Sequence, residues 1–114
     1  MLEPSFGVEL DSAELVRVIA DAVRTVPGVV RLEPTLSTVG LRGLYRDRDT
    51  DGVQLVNRSG LVEADINVAT TTTHQARAVA EAIRTAVNGV IGSAGYAAST
   101  TTVNVLTIEV GVSA

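Results

Sequence analysis

Hydrophobic residues recur about every 3.6 positions in two separate stretches of this chain, and charged residues lie on the opposite side of each stretch. The apolar stripes comprise Leu15, Ile19, Val23 and Val26 in the first stretch, and Ala76, Val79, Ala80, Ile83 and Val87 in the second. A helix with such a stripe buries it against a core. The pattern therefore predicts two amphipathic helices that cover the same core.

The first predicted helix carries a signal at each end. Asp11 and Glu14 have the spacing of a capping box, in which a side-chain oxygen accepts from an early backbone N–H group. Pro27-Gly28 supplies the stop, because proline cannot continue a helix and glycine accepts the left-handed cap. The corresponding signals of the second helix are Thr72 or Thr73 as the N-cap and Asn88-Gly89 as the end.

The two helical stretches also resemble each other in sequence. Residues 17–30 and 77–90 are identical at six aligned positions. An internal duplication would explain this similarity, and so would convergence of two helices rich in Ala, Val and Arg. Both explanations predict the same architecture.

Alternation with a period of two predicts the strands. They span Val29–Leu36, Val53–Asn57, Leu61–Ala69 and Thr101–Val112, and a lead-in at Phe6–Leu10 could add a fifth. The second and third strands form a hairpin that turns at residues 58–60. In the third strand the even-numbered residues are apolar, whereas Glu63, Asp65 and Asn67 are polar. A sheet with one dry and one wet face is typical of antiparallel pairing.

The resulting order, (β)αβββαβ, predicts an α+β fold in a single domain of residues 1–114. Two helices with one apolar stripe each favour a two-layer sandwich, with both helices on one face of a mixed, largely antiparallel sheet of three to five strands. A dense run of charges follows two glycines within residues 37–51, and we expect a long charged loop there.

Composition narrows the function classes. The net charge is -4 with only nine Lys and Arg residues, which argues against a phosphate-binding surface. Three aromatic residues are too few for a base-stacking platform, so we expect no nucleic-acid partner. The absence of cysteine excludes disulfides and Cys-based metal sites. The first ten residues lack a signal-peptide pattern, and no apolar run reaches the ~20 residues of a membrane helix.

The segment Asp47-Arg48-Asp49-Thr50-Asp51-Gly52 matches the first half of a calcium loop, with oxygen ligands at positions 1, 3 and 5 and then glycine. Arg58 stands where the bidentate glutamate belongs, and Leu55 stands at position 9. The sequence therefore favours a solvated charged turn, and a calcium- or small-ligand-binding module that uses Asp47, Asp49 and Asp51 is the alternative function.

Catalytic chemistry has weaker support. His74 is the only histidine, and no Ser or Cys lies in a recognisable nucleophile motif. Glu63 and Asp65 share one strand face and could act as an acid–base pair with His74. Because they alternate with apolar residues, a solvated face or a protein contact is the preferred interpretation. We predict no enzyme activity, no catalytic residue and no bound cofactor.

The order of several short motifs resembles the alkaline-shock-protein family of envelope stress response proteins. The matching segments are Ile19-Ala20, Val26-Pro27-Gly28-Val29, Gly52-Val53-Gln54-Leu55, Leu61-Val62-Glu63-Ala64-Asp65-Ile66-Asn67-Val68 and Val103-Asn104-Val105. Together they extend over residues 7–112. Two motifs depart from the family: an aromatic-Gly pair is replaced by Thr71-Thr72-Thr73-His74, and a Thr-Gly pair by Asn88-Gly89.

This resemblance implies a non-enzymatic bacterial protein without a cofactor. It implies a role in cell-envelope homeostasis in the cytoplasm, at the inner face of the membrane, through a membrane-embedded protein partner. It also implies self-association into a homo-oligomer. If the protein assembles, we expect either the outer helix surfaces or the open sheet face to carry the contact.

Overall fold

The computed structural model describes residues 11–34 and 52–110. These residues form the elements α1 (Ser12–Arg24), β1 (Val29–Leu32), β2 (Val53–Arg58), β3 (Leu61–Thr71), α2 (Ala76–Ser93) and β4 (Ala97–Glu109). The predicted order αβββαβ is confirmed. The lead-in Phe6–Leu10 and the loop predicted at residues 37–51 lie outside the described residues.

β3 is the centre of the sheet. One of its edges pairs with β4 in parallel along the whole strand, from Leu61 opposite Ala97 to Thr71 opposite Glu109. Its other edge pairs antiparallel with β1 and with β2. The sheet is therefore mixed and both helices accompany it, as the α+β prediction required.

β1 and β2 lie end to end beside β3 and meet at Asn67. The backbone N–H of Glu33 donates to the Asn67 carbonyl at 2.8 Å, and the Asn67 N–H donates to the Gly52 carbonyl at 2.8 Å. Gly52 has a φ of +100°, and a Cβ there would lie 2.8 Å from the Glu33 carbonyl oxygen. β1 and β2 thus lie in line along one edge of β3, with a gap between them at Asn67. The chain leaves the sheet at this gap after β1 and re-enters it at Gly52.

The core lies between the helices and one face of the sheet. The predicted stripe of the first helix is buried, as are Val79, Ile83 and Val87 of the second and the even-numbered residues of β3, whereas Ala76 and Ala80 are half-buried. The fully inaccessible side chains include Ile19, Val23, Val62, Ile66, Val68, Ile83, Val87 and Ile91. Ile91 extends the stripe of α2 by one turn beyond the predicted end of that helix.

The predicted cap of α1 is confirmed. The side chain of Asp11 accepts from the backbone N–H of Glu14 at 2.8 Å. The helix ends at Arg24, and the hydroxyl of Thr25 donates to the Ala22 carbonyl at 2.7 Å. Gly28, at φ +96°, lies in the turn that leads to β1.

Both predicted ends of α2 are wrong. The N-cap is Gln75, because the Thr72 N–H continues the sheet by donating to the Glu109 carbonyl at 2.9 Å. The helix also runs past Asn88-Gly89 to Ser93. The apolar stripe continues through Ile91 and keeps this last turn packed on the core, which outweighs the local stop signal.

The last strand differs from its predicted bounds as well. β4 begins at Ala97, four positions before Thr101, and pairing with β3 starts there. Its register shifts between the partners of Val68 and Ala69. Residues 111–114 lie outside the described part of the chain.

Candidate functional site

The calcium-loop hypothesis cannot be placed on the described residues, because Asp47, Asp49 and Asp51 lie outside them. The carbonyl of Gly52, the last residue of the motif, accepts from the Asn67 N–H at the junction of β1 and β2. Within residues 11–34 and 52–110, no group of three or more His, Asp and Glu side chains could hold a metal ion. The calcium module therefore stays a prediction.

His74 lies in the connection between β3 and α2 and is exposed. Its Nδ1 atom is 3.0 Å from the hydroxyl of Thr73. The ring also packs against the turn before β1, since a Cβ on Gly28 would lie 3.0 Å from the Cβ of His74. His74 therefore packs between the β3–α2 connection and the turn that precedes β1.

The structure does not bring His74 together with Glu63 and Asp65. Asp65 lies near the middle of β3, whereas His74 follows the end of that strand. The six steps along the strand from Asp65 to Thr71 alone span about 20 Å in extended conformation. A proton cannot pass directly between groups so far apart.

The open face of the sheet carries a polar cluster around Asn104. The side-chain amide of Asn104 donates to Asp65 Oδ1 at 2.6 Å and to Asn67 Oδ1 at 2.8 Å. Asp65 is exposed as predicted, but Asn67 is only 4% exposed. The cluster therefore joins β3 to β4.

Beside this cluster lies a shallow hollow of about 270 Å³. It is lined by Gln54, Val56, Glu63, Ala64, Asp65, Thr100 and Thr102. Glu63 Oε2 lies 3.6 Å from Arg58 Nη1, and the side chains of Arg58 and Glu63 are 70% and 44% exposed. The hollow is open, and its carboxylates already have partners.

A second ion pair crosses the open face at the other end of the sheet. Arg31 Nη1 lies 2.5 Å from Glu109 Oε2, and Arg31 Nη2 lies 2.9 Å from Glu33 Oε2. The hydrogen bond to Glu109 raises the pKa of the Arg31 guanidinium from its ordinary value. Ala69, opposite Arg31 in the register, is fully buried.

The outer edge of β4 is the feature that sequence reasoning missed. Among the described residues, β4 pairs with β3 alone, so its other edge has no strand partner. Leu106 and Ile108 are 51% and 55% exposed. A signal was present, because residues 97–108 contain no charge and many β-branched residues, which is unusual for a protected edge.

α2 contacts β4 at Thr101, the one residue of that strand that is buried, whereas residues 97–100 are exposed. Arg84 Nε donates to the Thr101 carbonyl at 3.1 Å, and the Thr101 hydroxyl donates to Asn88 Oδ1 at 2.6 Å. The exposed apolar side chains Leu106 and Ile108 lie beyond this contact. We call residues 102–109 the open half of β4.

Comparison with known proteins supports the fold alone. No protein-family model matches the sequence, and no curated protein matches it. Among solved structures, the chain is similar to the M250L form of the MamM CTD, with a TM-score of 0.53 and 17% sequence identity. The match covers 87% of this chain and 98% of that chain. At this identity, the two share an α+β architecture.

Neither of the two helices in the described ranges is long and apolar enough to span a bilayer. α2, with 18 residues, is the longer of the two, but it carries Arg77, Glu81 and Arg84 on its outer side.

Proposed function

We propose that this chain is a non-enzymatic protein-interaction module that binds its partner through the open half of β4. The observation that carries the proposal is the coincidence of an unpartnered backbone edge, within the described residues, with exposed Leu106 and Ile108. An extended segment added to such an edge gains backbone hydrogen bonds and covers apolar side chains.

Burial of Leu106 and Ile108 would contribute substantially to the free energy of binding. Complete burial of a Leu or Ile side chain contributes about 1.5–3 kcal/mol. Since Leu106 and Ile108 are about half exposed, covering both would contribute roughly 1.5–3 kcal/mol together. Backbone pairing would supply the remainder and set the register of the partner.

β2 lies on the opposite side of the sheet and is a weaker candidate. It has six residues, against thirteen in β4, and its last residue is Arg58. Charge on an edge strand discourages pairing with another chain. β4 is longer and has no ionisable side chain from Ala97 to Ile108, so it is the better docking edge.

The non-enzymatic part of the proposal is supported by the separation of His74 from the strand carboxylates. Asp65 is held by Asn104, and His74 is hydrogen-bonded to Thr73. Each of these polar groups has a structural partner in place of a catalytic one.

The resemblance to alkaline-shock proteins leads to a finer proposal. It would make the partner a membrane-embedded protein of the bacterial envelope, bound at the inner face of the membrane. In support, the motif Val26-Pro27-Gly28-Val29 forms the compact turn between α1 and β1. A Cβ at Gly28 would lie 2.6 Å from Val79 Cγ2, so this turn needs glycine.

The test is quantitative affinity capture with three forms of the full chain: wild type, a Leu106→Lys/Ile108→Lys double variant, and a Val56→Lys control on β2. Val56 is 44% exposed, so the control introduces one lysine at a site of similar exposure. We expect a partner that the wild type and the control retain and the double variant loses. Circular dichroism checks that all three are folded.

Equal capture by all three forms, or no specific capture, would contradict the interaction proposal. An envelope membrane protein among the lost partners supports the finer proposal. A lost partner that is neither an envelope membrane protein nor a second copy of this chain contradicts the alkaline-shock resemblance and leaves the interaction module intact.

A further inference from the structure

We infer that the segment bound at the open half of β4 is an extended acidic segment of a partner protein, and that Arg77 of α2 binds its carboxylate. The inference rests on the proposed function, because it names the chemistry of the segment that adds to the same edge. Backbone pairing gives affinity to any extended segment, whereas side chains beside the edge select one segment over another. The sequence of the partner segment is therefore set by the side chains along β4.

One flank of α2 borders the outer edge of β4. Arg84 Nε donates to the Thr101 carbonyl at 3.1 Å, and Asn88 Oδ1 accepts from the Thr101 hydroxyl at 2.6 Å. Residues 77 and 84 are nearly two helical turns apart, so their side chains project from the same flank of α2. Arg77 therefore borders the outer edge of β4 as well.

Arg77 lies at the level of the open half of β4. Because α2 connects the end of β3 to the start of β4, and the two strands are parallel, α2 runs in the opposite direction to β4. From Arg84 back to Arg77 the helix extends over about 10 Å toward the end of β4, which corresponds to about three residues of strand. Counted from Thr101, this places Arg77 beside residues 103–106.

Arg77 is an exposed cation, and among the arginines of the described ranges it alone has no hydrogen bond or ion pair. Glu81, one turn away, is engaged by Arg84 at 2.9 Å. The strand itself has no ionisable side chain from Ala97 to Ile108. A carboxylate on an added segment can therefore pair with Arg77, whose guanidinium can bind it through two parallel hydrogen bonds.

The helix face of β4 provides apolar contacts beside this cation. Val105 pairs with the inaccessible Val68 of β3, and Ile108 pairs with the buried Thr70. Because paired strand residues share a face of the sheet, Val105 and Ile108 lie on the same side as α2. Side chains on one face of a strand recur at every second residue. The inferred segment thus carries its acidic residue two or four positions from an apolar one.

A β-bulge in β4 increases the importance of these side-chain contacts. Between Val105 and Thr107 the strand has one residue more than β3, namely Leu106. A bulge locally disrupts the ladder of backbone hydrogen bonds, so regular pairing of an added segment is interrupted there. Contacts with Arg77 and Ile108 then hold the segment in register.

The inference can be tested without knowing the partner, by selecting random peptides displayed on phage against the full chain. We expect the wild type to enrich segments with Asp or Glu at one fixed position and apolar residues two or four positions away. Arg77→Glu should enrich Lys or Arg at that position. Arg17→Glu is the matched control, because Arg17 aligns with Arg77 in the two similar stretches but belongs to α1, which packs beside β1 and β2. It should enrich the same acidic segments as the wild type.

Titration with synthetic peptides measures the size of the effect. The probes are the most enriched acidic peptide and the same peptide with an amide in place of the carboxylate. We expect Arg77→Gln to raise the dissociation constant of the acidic peptide about fivefold, as for a partly exposed ion pair, and to leave that of the amide peptide unchanged. Added salt should weaken binding of the acidic peptide to the wild type, because it screens the pair.

The outcomes separate this inference from the proposed function. The neutral double variant Leu106→Asn/Ile108→Asn should lose the enriched segments. Segments that this variant loses, but that have no acidic preference or are unchanged in Arg77→Glu, overturn the role of Arg77 and leave the interaction module in place. Absence of any enrichment, or enrichment that the double variant retains, overturns both proposals. Circular dichroism checks that every variant is folded.

Discussion

Arg31 of β1 binds Glu109 of β4 across the open face of the sheet, although β3 lies between the two strands. Their side chains pass over Ala69, which has no exposed surface. The pair links the two outer strands of the sheet at one end, 78 positions apart in sequence.

Arg31→Ala and Glu109→Ala should each lower the free energy of unfolding by about 0.2–1 kcal/mol, because both side chains are more than a third exposed and water screens the pair. Urea denaturation of both single variants and the double variant gives the coupling energy in a mutant cycle. A coupling energy above ~2 kcal/mol would show that the pair is far less solvated than its exposure indicates.

Substitution of the buried residues Thr70 and Thr101 by valine should change the free energy of unfolding in opposite directions. Thr70 is fully buried, and its hydroxyl has no hydrogen-bond partner among the described residues. Because a buried hydroxyl without a partner is unfavourable, Thr70→Val should raise the free energy of unfolding by about 1 kcal/mol.

Thr101→Val is the matched change, since Thr101 is 8% exposed and donates to Asn88 at 2.6 Å. It removes a satisfied hydrogen bond and should lower the free energy of unfolding by about 1–2 kcal/mol. Chemical denaturation of both variants measures the two changes in the free energy of unfolding. Equal signs for the two changes would contradict the assignment of the Thr70 hydroxyl as unpaired.

Gly52→Ala should be strongly destabilising. Its φ of +100° disfavours any side chain, and the new Cβ would lie 2.8 Å from a backbone oxygen that cannot move independently of β1. We expect a loss of about 2–4 kcal/mol, the sum of backbone strain and the displacement of a strand.

Gly60→Ala is the control for backbone strain alone, because Gly60 has a φ of +88° but no atom within 4 Å of a built Cβ. Its loss should be about 1 kcal/mol. Gly89→Ala, within α2 and equally uncrowded, should instead raise stability by about 0.5–1 kcal/mol. Thermal melts that rank the three variants otherwise would contradict the crowding at Gly52.

Replacing residues 35–51 with a linker of a few Gly and Ser residues should leave the fold intact. Glu33 and Gly52 both bond to Asn67, so a short connection can join them without disturbing the pairing of β3. Far-ultraviolet circular dichroism and hydrogen exchange of the β3 amides measure the result. Loss of protection in β3 would mean that residues 35–51 contribute to the core.

The features that were predicted correctly from the sequence are those that depend on the spacing of neighbouring residues. The stripe of α1, its Asp11 cap and the alternation of β3 are all determined by residues a few positions apart. The predicted ends of α2 were wrong because residues at both ends bond to β4. The Thr72 N–H donates to the Glu109 carbonyl, and Asn88 Oδ1 accepts from the Thr101 hydroxyl. No local pattern contains those partners.

The candidate site was missed for the same reason. Alternation identifies which residues of a strand share a face, but it does not show which strand forms the edge of the sheet. Leu106 and Ile108 are exposed because β4 lies outside β3, in a pairing that starts 36 positions apart, between Leu61 and Ala97. The uncharged composition of residues 97–108 becomes informative only once that position is known.

The parallel pairing of β3 with β4 has a consequence for the synthesis of the protein. β4 is synthesised after the other described elements, and until it emerges one whole edge of β3 lacks the strand with which it pairs. The nascent chain can therefore form α1 and the β2–β3 hairpin early, but it cannot close its sheet. We expect folding to complete only after Glu109 is released, with the edge of β3 exposed to chaperones until then.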